Sequence, residues 1–175
     1  MIQQTLVLIK PDGLARHLVG TIFQTFEDAE LSVVHLATVR PTRNQVLLHY
    51  PDDITWLETA GSRAIKALRE SGLDYVELTG LTTAQEVGLL IRERLVDYLC
   101  SGQVIVAVLD GNGALAKVRQ LVGATLPHHA DPASIRGRYC SDDVARSFTE
   151  RRALHNLLHA SGSADEFQRE RHIWL

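Results

Sequence analysis

The chain has 175 residues, of which 45% are hydrophobic and 22% charged. That suffices for one domain with a buried core and excludes a disordered or collagen-like chain. With 18 basic and 21 acidic residues the formal net charge is −3, which argues against a protein working by bulk attraction to nucleic-acid phosphates but leaves room for a local basic pocket.

Leu6-Val7-Leu8-Ile9 reads as a buried strand that stops at Lys10-Pro11-Asp12-Gly13, where proline presets φ, Asp12 caps a tight turn and Gly13 accepts a positive φ. Val19, Ile22, Phe23, Phe26 and Leu31 follow at near-helical spacing, and residues 31–39 alternate loosely as a second strand. Thr42 caps a helix reaching Tyr50. Residues 51–82 suggest two short helices around Gly61-Ser62, with Gly72 and Gly80 as breaks. Thr83 starts a long amphipathic helix that ends at Ser101-Gly102, a C-terminal glycine signal.

The run 104–109 is apolar and largely β-branched, so it is expected to be central and covered on both faces. A helix spans residues 114–122. Residues 125–140 read as an ordered loop, and loops of that length are more often functional than idle. Helical pattern returns over residues 143–154 and 163–172, with a short apolar segment at 156–159 between them. Alternating strands and helices with few strands indicate an α/β (α+β) two-layer sandwich of βαββαβ order.

The polar residues suggest an anion site. Lys10 sits at a strand tip, where a rigid turn holds an ammonium at little entropic cost. Arg119 and Arg136 offer paired donors matched to phosphate oxygens, and Thr125 could add a hydroxyl. Taken singly, each cation reads first as a surface charge and Thr125 as a helix-end turn, since convergence is not visible in a sequence. His159 lies in an apolar segment, where a hydrogen-bonded structural role is the ordinary one. Glu170 on the next helix could accept from one ring nitrogen, leaving the other lone pair outward as a nucleophile requires. His128-His129 are neighbours that point opposite ways on an extended chain, and no Cys/His spacing resembles a zinc site. No Walker loop or G-x-G-x-x-G is present. Cys100 and Cys140 are too few for a disulfide scaffold and fit a reducing compartment. Met1-Ile2-Gln3-Gln4-Thr5 lacks signal-peptide features and no apolar run approaches a membrane span, so a cytoplasmic protein is expected.

Four stretches together resemble the nucleoside diphosphate kinase family: TLVLIKPDGLARHLVG from Thr5, LVDYLCSGQVIVAVL from Leu95, VRQLVGATLPHHADPASIRG from Val118 and NLLHASGSADEFQRERHIWL from Asn156. Any one is weak; four in the family's order are specific. The resemblance implies a ferredoxin-like fold with a four-stranded antiparallel sheet and helical insertions. It also implies transfer of the terminal phosphate of a nucleoside triphosphate to a nucleoside diphosphate through a phosphohistidine. Carried over by position, His159 is the nucleophile, oriented by Glu170 with Ser161. Lys10 and Asn156 contact the phosphate chain and ribose, Arg119, Thr125 and Arg136 hold the distal phosphates, and Tyr50 lies near the nucleophile. Magnesium bridging the nucleotide's phosphates and a homo-hexamer or tetramer are implied as well.

The chain departs from the pattern at Ala160, at Ser161-Gly162-Ser163, at Gln103 and in length. A single domain over residues 1–175 is expected, with insertions at about 51–91 and 140–152. The family's paired phenylalanines are absent; by register the base-stacking position falls near Ile91, with Trp56 or Tyr75 as possible covers. A non-catalytic nucleotide-binding or assembly module on the same fold is the alternative, because the insertions could occlude the base site.

Overall fold

β1 (Ile2–Ile9) opens a computed structural model that describes residues 2–175. Met1, part of the expected domain range and N-terminal stretch, lies outside the described residues. The strand extends beyond the apolar run because Gln3 and Gln4 also join the ladder, opposite Gly111 and Asp110. The Lys-Pro-Asp-Gly segment that follows is a short helix, α1 (Pro11–Ala15), rather than a tight turn. Gly13 does not take a positive φ. It is small because an added Cβ would stand 2.7 Å from Ile9 Cγ2 and 3.2 Å from the Leu157 carbonyl oxygen.

Next come α2 (Val19–Glu27), β2 (Ser32–Val39) and α3 (Arg43–His49), the last with a reciprocal Thr42/Gln45 capping box. Residues 54–70 form one helix, α4 (Ile54–Glu70), where two were expected. Gly61 does not break it but lets it cross a later helix at backbone contact, near Ala84. The intervening α5 (Tyr75–Thr79) ends on Gly80 at φ 72°, where a left-handed residue stops the helix. α6 (Ala84–Cys100) starts from a Thr83/Glu86 capping box and ends without a left-handed glycine, since Ser101 stays right-handed.

β3 (Val104–Asn112) runs three residues past Leu109 to pair with the start of β1. Then come α7 (Ala114–Val122), a 3₁₀ turn (Pro127–His129), α8 (Ile135–Tyr139), α9 (Val144–Thr149), β4 (Leu158–Ala160) and α10 (Ala164–Trp174). The region expected to be loop, 125–140, therefore carries helical turns, capped at Ser134 by its own hydroxyl. α9 stops at Thr149, short of the expected 154.

The strands form one antiparallel sheet in the order β2-β3-β1-β4, with β1-α2-β2-β3-α7-β4 as the βαββαβ unit. Alternation along β1 sends Val7 and Ile9 to one face, against α2 and α7, and Leu6 and Leu8 to the other. That second face is covered by α3, α6 and α10 through Val46, Val96, Leu99, Phe167 and Trp174. The two expected insertions share a small core of their own, where Ala64, Leu68, Val87, Val144 and Phe148 meet.

The α4–α6 crossing is a glycine-to-backbone contact on both sides. A Cβ at Gly61 would stand 1.8 Å from the Ala84 carbonyl oxygen, and one at Gly88 would stand 2.1 Å from that of Leu57. Alanine would add about 1 kcal/mol of helix propensity, but overlap with backbone atoms cannot be relieved by a rotamer change and costs about 1–3 kcal/mol or more. Gly88→Ala is therefore expected to lower the urea midpoint and to lower Tm by a few degrees. An unchanged or higher midpoint would show that the helices separate freely.

Candidate active site

A cleft of about 450 Å³ opens between the sheet's β1–β4 edge and the inserted helices. Its walls carry Lys10, Tyr50, Ile91, Arg119, Thr125, Arg136, Asn156 and His159, so residues expected from distant parts of the chain converge. Ser161 and Glu170 stand behind the wall, both fully buried. The insertions leave the cleft open rather than filling it.

His159 sits on β4 opposite Leu8 of β1. The chain enters β4 through a tight turn in which the Leu158 N–H donates to the Asn156 carbonyl at 2.8 Å. Leu157 at its centre takes φ 68°, a region costly for a non-glycine residue. The turn is held from outside. The Leu157 N–H donates to Asp12 Oδ2 at 3.1 Å, and the Leu157 carbonyl accepts from the Lys10 N–H at 2.8 Å. Arg136 donates through Nε to the Asn156 carbonyl at 3.1 Å and through Nη2 to the Leu158 carbonyl at 2.6 Å, while Nη1 reaches Gly123 at 2.8 Å. The buried guanidinium thus clamps both ends of the turn that aims His159.

Glu170, from α10, reaches His159 Nε2 through Oε1 at 2.7 Å and accepts from the Ser161 hydroxyl through Oε2 at 2.6 Å. A carboxylate there requires the proton on Nε2, so Nδ1 keeps its lone pair. Burial holds the imidazole well below its usual pKa. Glu166 opposes that shift, while Lys10, Arg136 and Arg169 reinforce it. Burial also raises the Glu170 carboxyl, against the effects of His49, Ser161 and Arg169.

Lys10 donates from Nζ to Asn156 Oδ1 at 2.7 Å, and Asn156 Nδ2 donates to the Thr125 carbonyl at 2.9 Å. Burial first, then the Arg136 charge, bring the Lys10 ammonium down to about 8. Burial brings Arg136 to about 10, with Arg119 contributing, so it remains charged at neutral pH. Arg119 is exposed on α7; Gly162 makes room for it, since a Cβ there would be 2.9 Å from its Nη1. Tyr50 is buried beside His49, its ring 4.7 Å from that of His49 and its hydroxyl pKa raised by burial.

Several side chains were not singled out by sequence reasoning. The His49 ring lies 4.5 Å from His159, and its Nδ1 accepts from Trp174 Nε1 at 3.3 Å. Arg63, Arg94 and Phe148 also line the cleft. Only the adjacency of His49 to Tyr50 hinted at any of these. Of the two suggested base covers, Trp56 is on the wall, but Tyr75 is not. Tyr75 donates to the Thr82 carbonyl on the outer surface. His128 and His129 do not point apart either: on the 3₁₀ turn their rings are 4.0 Å apart, and their ligand atoms lie within 4.8 Å of a Glu70 oxygen.

A sequence model described as nucleoside diphosphate kinase matches residues 3–55 and 65–175. A nucleoside diphosphate kinase of Pyrobaculum aerophilum is 42% identical over 174 residues, covering 99% of this chain and 95% of that protein. One from Sulfurisphaera tokodaii is 31% identical, covering 99% and 89%. The crystal structure of an NDP kinase from Pyrobaculum aerophilum superposes with a TM-score of 0.94 at 40% identity, covering 100% of this chain and 96% of that one. Architecture and sequence agree: this chain belongs to the nucleoside diphosphate kinase family.

Proposed function

We propose that the chain, as one domain over residues 1–175 with insertions at about 51–91 and 140–152, carries out phosphoryl exchange between nucleotides with His159 as the nucleophile. The observation that supports this best is the 2.7 Å contact between His159 Nε2 and Glu170, which leaves Nδ1 as the nucleophilic nitrogen at a cationic cleft. Nδ1 donates its lone pair to the terminal phosphorus of a nucleoside triphosphate. The bond from that phosphorus to the bridging oxygen breaks, and the diphosphate leaves with the electron pair. Glu170 stabilises the positive ring through the Nε2 proton, with Ser161 holding its second oxygen. A second nucleoside diphosphate then attacks the phosphohistidine by the reverse route.

Catalysis is mainly positioning and charge stabilisation, because the phosphoryl oxygens carry the developing charge. Lys10, Arg119 and Arg136 supply cations, Thr125 and Asn156 neutral donors, and Tyr50 closes the wall beside His49. Ile91 faces the base. Among the described residues Glu166 is the one carboxylate on the cleft wall, and it is occupied by the Gly162 N–H. This donor set suits a magnesium ion brought in on the nucleotide's phosphates rather than caged by protein; when bound, it neutralises part of their charge. ATP and GDP turnover giving parallel double-reciprocal lines tests the reading, and sequential kinetics would overturn it.

A hexamer or tetramer is proposed too, supported by edge strand β2, where Val34 and Leu36 are 49% and 56% exposed. Light scattering tests it, and a monomer at micromolar concentration would remove it. Among the described residues no helix is long and apolar enough to cross a membrane. Cys100 and Cys140 are unpaired, which supports a cytoplasmic setting.

Lys10 ties the reaction to pH. With a value of about 8, the free enzyme loses this cation above pH 8, so kcat/KM is expected to fall there. The limb in kcat should lie higher, because bound phosphate favours the ammonium. Stability moves the other way: an unfolded lysine near 10.5 binds the proton more tightly, so the folded state gains about 1 kcal/mol from pH 8 to 9. Above pH 9 the Cys140 thiol, pushed up to about 11 by burial, acts with the opposite sign. A kcat/KM flat to pH 10 would mean that Lys10 carries no charge the substrate needs.

A further inference from the structure

The end of the cleft built by the insertions holds a cation that the phosphate chemistry leaves unused. Arg94 follows Ile91 by one helical turn on α6, so both face the cleft. Its guanidinium lies over the Phe148 ring, 4.9 Å from the centroid, and Phe148 comes from α9 in the second insertion. Nη1 is fully buried with no hydrogen-bond partner among the described residues. Burial, and after it the charge of Arg151, lower its pKa. Arg92, Arg136, Arg152 and Arg169, by contrast, all have carbonyl or carboxylate partners. A buried donor without an acceptor is costly, and a cation–π contact recovers only part of that cost. Nη1 is sealed against the wall, but the rest of the fork, which makes no hydrogen bond among the described residues, lies on the cleft lining, where a ligand can supply its acceptor.

The phosphate end is separate. Arg136 acts on Lys10 and Arg119 on Arg136, and these three come from the end of β1, α8 and α7, whereas Arg94 comes from α6. What reaches the Ile91 end is the base, if the reading of the site as a nucleotide-exchange centre holds. A guanidinium only donates, and its planar fork matches the paired O6 and N7 acceptors of guanine. Adenine and cytosine present an amino group at the same edge, donor against donor. Stacking on Phe148 holds the fork flat before the base arrives.

We propose that Arg94 reads the nucleobase and favours keto-bearing bases, guanine foremost, over adenine and cytosine. Titration calorimetry with magnesium complexes of GDP, UDP, ADP and CDP tests this. Wild-type protein should bind GDP about tenfold or more tightly than ADP or CDP, with UDP between. Arg94→Met keeps the stem against Phe148 and removes the fork; it should bring the four Kd values within about threefold of each other, mainly by weakening GDP. Arg94→Lys keeps the charge but loses the bidentate geometry and should also lose the preference; it serves if the methionine variant does not fold. Equal wild-type affinities, or equal weakening of all four in either variant, would overturn the role of Arg94 while leaving the exchange reaction standing. Failure of any diphosphate to bind would instead remove both readings.

Discussion

His159→Ala is expected to lower phosphoryl exchange on the order of 10⁶-fold, the scale seen when a covalent nucleophile is removed. It should also abolish the acid-labile, base-stable label that ATP leaves on the protein. The fold should survive. The lost imidazole is a partly exposed cleft residue, and the Glu170 carboxylate keeps the Ser161 hydroxyl at 2.6 Å and the His49 ring nearby. Glu170→Gln provides the internal comparison. The amide can still accept from Nε2, but rotation of its NH₂ toward the ring would favour the wrong tautomer. Orienting carboxylates of this kind contribute up to about 10⁴-fold, so its loss should be smaller than that of His159. Full labelling of the alanine variant would place the nucleophile elsewhere, and equal loss in the two variants would give Glu170 a direct part.

Much of the site was legible residue by residue because each side chain has one evident chemical use. A cation at a strand tip, paired-donor arginines and a histidine with a carboxylate eleven positions on are readable before any fold is known. The capping boxes at Thr42 and Thr83 were readable for the same reason, since the donor and acceptor lie three residues apart. What was hidden depends on neighbours distant in sequence. Gly61 looked like a breaker, yet its smallness serves α6, which passes at backbone contact. Gly13 looked like a turn glycine, yet it makes room for Leu157, 144 positions on in the chain. The 125–140 segment read as loop because prolines and histidines obscure two short helical turns. Arg94 and Phe148 meet only because α9 of the second insertion packs near α6, and neither carries a local signal.

Arg119 and Arg136 look interchangeable as phosphate cations, but their surroundings predict different outcomes on truncation. Arg119 is exposed, and beyond its approach to Gly162 the fold asks little of it. Arg119→Ala should therefore lower kcat/KM about 10²-fold, as losing one charge-stabilising donor does, with Tm unchanged within a degree or two. Arg136 is 6% exposed and donates to three carbonyls, two of which flank the strained residue Leu157. Removing it takes these donors from the Gly123 and Leu158 carbonyls at about 1–3 kcal/mol apiece, while the Asn156 carbonyl keeps the Leu158 N–H, and it releases a turn that itself stores about 1–3 kcal/mol. Part of that cost returns when Leu157 relaxes, so a net loss near 3 kcal/mol is expected, lowering Tm by about 6–12 °C. Relaxation of the turn also moves Asn156 and His159 together, so activity should fall further than with Arg119→Ala, even at temperatures where the variant is folded. Arg136→Lys should restore charge but not the three-way clamp, recovering little of either property. Thermal melts and initial rates on the same samples decide the matter: an Arg136→Ala protein as stable as wild type would show that the turn at Leu157 holds itself without the clamp.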